Sequence, residues 1–383
     1  MKSALALVSL LVSLVVASPI QQADASASAS AHAGSGGSTS TSTSTSTSSS
    51  STADDLPRLI VYFQTTHDSS GRPISMLPLV QEKNIALTHL IVCSLHINEN
   101  SEVHLNDYPP SDARFQTLWN ETAVLKRSGV RIMGMVGGAA SGSFTTRTLD
   151  GDDATFRKYY GQLKAVIQQF GLEGMDLDVE QSMSQQGITR LVQQLYSDFG
   201  SDFSITLAPV SSALTGGANL SGFNYKTLEN SQGSKISFYN GQFYSGFGSM
   251  ASPSDYEAII DDGYPASKIV AGQLTSPNNG YGYIPYSELN NTVITLRDKY
   301  GQIGGVMGWE YLDSLPGGTD RPWEWAQIMT EILRPDSVPK LKVSHSDAQR
   351  LQTAYAHSSV SQSSPHNGKY KADHVDYMAM VNA

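Results

Sequence analysis

Eight runs of β-branched, aromatic and aliphatic residues, spaced along the chain by polar stretches, restrict this sequence more than any other feature. They fall at residues 58–63, 87–94, 130–136, 174–180, 203–208, 235–244, 268–274 and 304–309. Helical patterning is read at 76–82, 111–128, 154–170, 187–199, 254–261, 286–300 and 323–333. In the third of these, Phe156, Tyr159, Leu163, Val166 and Phe170 recur at helical spacing. Strand–helix alternation implies a parallel sheet, because parallel neighbours need a crossover connection. Near-continuous apolar runs fit strands covered on both faces. Eight such units over roughly 280 residues predict a (β/α)8 TIM barrel spanning 56–334. A doubly wound open sheet is the alternative, but no Gly-x-Gly-x-x-Gly follows the first strand.

The fourth run, Gly-Met-Asp-Leu-Asp-Val-Glu at 174–180, has a second pattern inside it. Asp176, Asp178 and Glu180 occupy every second position, so a strand would project all three from one face. Met175, Leu177 and Val179 would face the other way. Cα atoms two apart on a strand are separated by about 6.6 Å. Unpaired like charges held that close raise at least one carboxyl pKa. Spacing alone leaves two readings open, a metal-binding or solvated acidic strand and a site for acid catalysis.

The rest of the chain bounds the class of protein. The formal net charge is −10 and no long basic run occurs, which argues against a nucleic-acid partner. Lys2 followed by an apolar run from Ala4 to Val16 and small residues at 17 and 18 reads as a secretory signal over 1–18. The run is too short for a membrane span, and the protein is expected to be secreted, extracellular and free of membrane association. Residues 19–55 are dominated by Ser, Thr, Ala and Gly, the composition of a disordered stalk or pro-segment. Residues 335–383 read as a poorly ordered or processed extension with one helix near 346–356. The single cysteine, Cys93, sits in an apolar run and is expected to be a buried thiol. Asn120, Asn219 and Asn290 each begin an Asn-x-Ser/Thr sequon and are candidate glycosylation sites.

In a barrel of this kind the chemistry sits at the C-terminal ends of the strands. That rule places Glu180 at the mouth, Asp178 one layer down and Asp176 deepest. Glu180, beside a buried acidic pair, is a plausible proton donor. No second acidic residue on a neighbouring strand looks like an opposing nucleophile, so the usual two-carboxylate arrangement of a glycosidase is not evident. On the sixth run Asn240, Gln242 and Tyr244 share a face, and on the eighth Met307 and Trp309 do, with Trp309 at the mouth. A tyrosine hydroxyl and a flat indole suit a sugar ring, although burial in a core is the commoner use of both residues.

These residues carry a resemblance. The acidic strand resembles the catalytic strand of glycoside hydrolase family 18, whose pattern is DxxDxDxE. Met135-Val-Gly-Gly138 is similar to the family's SxGG on the third strand, and Gln242-Phe-Tyr244 and Gly305-Val-Met-Gly-Trp309 to its sixth- and eighth-strand motifs. The likeness runs over about 56–334 and is greatest to the fungal secreted endo-β-N-acetylglucosaminidases of the family. It implies substrate-assisted retaining catalysis, in which the sugar's 2-acetamido oxygen attacks C1 and gives an oxazolinium ion. By the same resemblance Glu180 is the acid and then the base, and Asp178 orients the acetamido N–H. Asp176 pairs with Asp178 and shares a proton with it. Tyr244 bonds the acetamido oxygen and Trp309 floors the sugar. Gln242, Asn240, Gly137 and Gly138 are implied substrate contacts. Glu173 replaces the family's first Asp and Met135 its Ser, which takes away a hydroxyl beneath the acidic pair. The expected partner is an N-glycan of a glycoprotein, cut at its GlcNAc–GlcNAc core, or a chitin oligosaccharide if the chain is a small chitinase. An inactive lectin-like member is the third reading, disfavoured because Glu180 and Asp178 are both present. No metal or organic cofactor is implied, and the protein is read as a monomer.

Overall fold

The computed structural model describes residues 56–337, with 349, 350 and 353. The secretory signal, the stalk and most of the C-terminal extension lie outside these residues. Gln349, Arg350 and Thr353 are helical, within the helix expected near 346–356.

Eight parallel strands close on themselves. In chain order they are β1 (Arg58–Phe63), β2 (His89–His96), β4 (Arg131–Gly137), β5 (Gly174–Asp178), β6 (Ser204–Leu207), β7 (Phe238–Gln242), β8 (Ile269–Leu274) and β9 (Gly305–Trp309). Each pairs with the next, and β1 pairs with both β2 and β9, so the ring has no open edge. A two-residue strand, β3 (His104–Leu105), runs antiparallel to the end of β2 and extends that strand above the barrel. Outside the ring run α1 (Pro78–Gln81), α2 (Gln116–Arg127), α3 (Asp153–Phe170), α4 (Gln185–Phe199), α5 (Tyr225–Gln232), α6 (Ser254–Asp261), α7 (Tyr286–Tyr300) and α8 (Glu324–Leu333). The arrangement is a (β/α)8 barrel.

Local sequence explains where these elements begin and end. Asp152 caps α3 by accepting a bond from the Thr155 amide at 2.8 Å, and Gly171, in the left-handed region at φ 61°, ends it. Ser184 caps α4 through the Gly187 amide, and Asn224 caps α5 through the Thr227 amide. α5 was not expected: its eight residues hold only Tyr225 and Leu228 as buried apolar positions, too few to register as a period.

Strand alternation divides the core into two layers. Leu59, Val61, Phe63, Met175, Leu177, Tyr239 and Phe243 face outward and pack with the helices. Ile60, Tyr62, Ile91, Cys93, Met133, Met135, Phe238, Val270 and Met307 fill the barrel interior. At the N-terminal end the interior is stopped by Phe238, with the Arg58 guanidinium 4.5 Å from its ring centre and His89 edge-on at 5.3 Å. Arg58 also donates to the carbonyls of Ser267 and Gly304.

Candidate active site

β5 ends at Asp178, two residues before the expected end, so Val179 and Glu180 stand beyond the strand ladder. Asp176 and Asp178 project into the barrel and are nearly inaccessible, at 0% and 5% exposure, while Met175 and Leu177 face the helices. Glu180 is half-buried at the opening, with Oε2 shut off from solvent and without a hydrogen-bond partner among the described residues. The depth order expected from the sequence is therefore the order found.

Three donors converge on Asp176. The Tyr62 hydroxyl reaches Oδ2 at 2.7 Å, and the Thr206 hydroxyl and the Asn240 amide reach Oδ1 at 2.5 and 3.1 Å. Burial pushes this carboxyl up, while the three donors pull it back toward the charged form. Asp178 has far less help, a single side-chain donor among the described residues, Gln242 Nε2 at 3.3 Å. Burial first, then the charges of Glu180 and Asp176, push its carboxyl well above the usual range. With three donors, Asp176 is raised less than Asp178. Burial also raises Glu180, opposed by the Gln242 amide at 3.1 Å from Oε1.

The remaining candidates divide by depth. Gln242 faces both acids and also reaches the Ala208 carbonyl at 3.0 Å. Tyr244 lies past the end of β7, yet clusters inside with Tyr62 and Trp309. Trp309 packs edge-on against Tyr62 with ring centres 5.7 Å apart. Asn240, expected to touch substrate, is fully buried and gives its N–H to Asp176 instead, because its position on β7 lies a layer below the mouth. Gly137 and Gly138 line Asp178: the Gly138 amide donates to the Asp178 carbonyl at 2.9 Å. A Cβ on Gly137 would come within 2.2 Å of that same carbonyl oxygen.

The two departures from the family pattern have structural answers. Glu173 sits at the foot of β5, accepting from the Ile132 amide at 3.1 Å and pairing with Lys126, away from the acids. Met135 is buried beside Asp176 in the strand register, and the hydroxyls Asp176 receives come from Tyr62 and Thr206. Neither of those two had been singled out, although both have inward parity on their strands.

Of the candidate glycosylation sites, Asn120 and Asn219 are exposed and Asn290 is half-buried on α7. Among the described residues no cluster of His, Cys, Asp and Glu is suited to hold a metal ion, and no helix is long and apolar enough to cross a membrane. Cys93 is buried in the barrel interior.

The model of the Glycosyl hydrolases family 18 matches residues 58–274, more than half of the chain. The chain belongs to glycoside hydrolase family 18. Among solved family 18 structures, a fungal endo-β-N-acetylglucosaminidase is 67% identical, with a TM-score of 0.73, over 74% of this chain and 100% of that one. The chitinase ChiC from Aspergillus fumigatus is 48% identical, with a TM-score of 0.66, over 71% of this chain and 98% of that one. Chitinase 2 from Rhizopus oligosporus is 29% identical over 195 residues, which are 48% of this chain and 34% of that protein. The chain thus spans about a third of the length of that curated relative.

Proposed function

We propose that this family 18 protein is a secreted endo-β-N-acetylglucosaminidase that cuts the GlcNAc-β-1,4-GlcNAc core of N-linked glycans. One observation carries the mechanism: Glu180 stands at the mouth, and among the described residues no free carboxylate faces it. The other carboxylate there, Glu310, is fully committed, accepting from the Gln64 and Thr65 amides at 3.0 and 2.8 Å and from the Thr65 hydroxyl. With no protein nucleophile, the substrate's acetamido oxygen attacks C1, and retention of configuration follows. Glu180, kept protonated by its burial, gives its proton to the leaving oxygen and then takes one from water. Asp178 accepts the acetamido N–H and stabilises the positive charge that develops, with Asp176 fixed beneath it by Tyr62, Thr206 and Asn240. Tyr244 bonds the acetamido oxygen, Trp309 supports the ring, and Gln242 fixes both acids. Gly137 and Gly138 keep the wall beside Asp178 free of side chains.

The choice of substrate is supported by the 67% identity to the fungal endo-β-N-acetylglucosaminidase, which extends over that whole chain. The 48% identity to ChiC makes a small chitinase the second reading. Between β8 and β9 there is room only for a loop and α7, with no added wall domain to deepen a chitin groove. Release of free glycan from a high-mannose glycoprotein is expected to outpace turnover of a chitin oligosaccharide. Chitin as the far better substrate would overturn the assignment in favour of the chitinase.

A further inference from the structure

Glu180 stands outside the sheet, so something other than the strand ladder must hold it. The Ser221 hydroxyl lies 2.6 Å from the Val179 carbonyl, and the Ser221 carbonyl accepts from the Met183 amide at 2.9 Å. One residue of the β6–α5 loop thus grips the chain on both sides of Glu180. Ser221 is 3% exposed, and its hydroxyl also lies 2.7 Å from that of Tyr225, which is fully buried at the start of α5. The direction of this chain is fixed by valence. A carbonyl can only accept, so Ser221 donates its one hydrogen to Val179, and Tyr225 must then donate to Ser221. Gly222, at φ 79°, lets the loop lie against residues 182 and 183: a Cβ there would sit 2.7 Å from the Ser182 hydroxyl and 3.0 Å from its Cα. On the opposite side, Gln181 Oε1 accepts from the Gly142 amide at 2.7 Å.

We propose that Ser221, backed by Tyr225, is a positioning residue that brackets Glu180 and holds its carboxyl in the sheltered place from which it transfers a proton. This rests on Glu180 being the acid. Freed from the bracket, Glu180 turns toward solvent, loses part of the burial that keeps it protonated, and gives up its proton at lower pH.

The test is Ser221→Ala, made in a host that does not N-glycosylate, so that loss of the Asn219 sequon is immaterial. On whichever substrate the wild type turns over, kcat is expected to fall about tenfold, the worth of one buried hydrogen bond. KM should stay within about twofold, since Ser221 touches no substrate, and the alkaline limb of the kcat–pH profile should move to lower pH. A folded variant with unchanged kcat and unchanged alkaline limb overturns the proposal. If Ser221→Ala does not fold, Tyr225→Phe removes only the backing donor. A several-fold lower kcat at constant KM supports the bracket, and an unchanged kcat overturns it. If the wild type turns over neither glycan nor chitin, the substrate reading fails separately. Hydrogen exchange of residues 179–183 then decides, faster in the variant if Ser221 holds the segment and unchanged if it does not.

Discussion

Gln242 has two N–H groups and three acceptors in reach: Asp178, Glu180 and the Ala208 carbonyl. That shortage matters, because among the described residues Asp178 has no other donor, and burial with the charges of Glu180 and Asp176 already raises its carboxyl. Two substitutions separate the acids. Glu180→Gln removes the transferable proton and is expected to lower kcat by about 10² to 10⁴. Asp178→Asn keeps the shape but loses the charge facing the developing cation, and should also depress kcat, in both cases measured at saturating substrate. The rate on the alkaline side should fall as Glu180 ionises, with a midpoint above that of an ordinary glutamate, since burial favours its neutral form. A second buried acid acts on stability alone. Glu121 on α2 accepts from the Met76 amide and the Ser75 hydroxyl, and burial raises its pKa to about 7 from 4.5. A raised carboxyl binds its proton more tightly when folded, so its stabilisation is complete below pH 4.5 and fades as pH rises through 7. The total is about 3 kcal/mol. Denaturant titrations of Glu121→Gln and wild type should diverge over that window, with only the wild type losing stability through this group. At this scale the sequence showed the acids and their depth, because parity on one strand needs no partner. It did not show Tyr62 or Thr206 beneath Asp176, because those contacts depend on the register between strands.

The site's shape is set where strands hand over to loops. β4 and β5 stay in register as far as Gly137 opposite Asp178, and the Gly138 amide then closes onto the Asp178 carbonyl. Gly137 has φ 105°, and an added Cβ would meet both that carbonyl and the Phe144 ring at 2.5 Å. Gly137→Ala is therefore expected to cost well over 2 kcal/mol, combining backbone strain with a clash against backbone. Gly216, at φ 74° with open space around it, isolates the strain alone, and its alanine variant should lose only about 1 kcal/mol. Thermal melts of the two set side by side check the difference. Strand centres were legible from composition, but their ends were not. β5 and β7 both stop earlier than their patterns suggest, leaving Glu180 and Tyr244 on the segments that follow. Those segments carry their inward residues without ladder hydrogen bonds, and loop contacts such as that of Ser221 replace them.

For the molecule as a whole, topology was readable because alternation of strand and helix leaves few arrangements, and the number of units selects closure. The pairing of β1 with β9 that completes the ring joins residues far apart in sequence, yet follows once eight parallel strands must bury both faces. What alternation could not convey is the barrel's floor, since it is made by first residues of different strands. Arg58, His89 and Phe238 meet there and close the lower end. The interior is consequently a well with one opening instead of a tube. Any water or proton bound for Asp176 has to come down past Glu180 and Gln242, through the same doorway that a sugar would occupy.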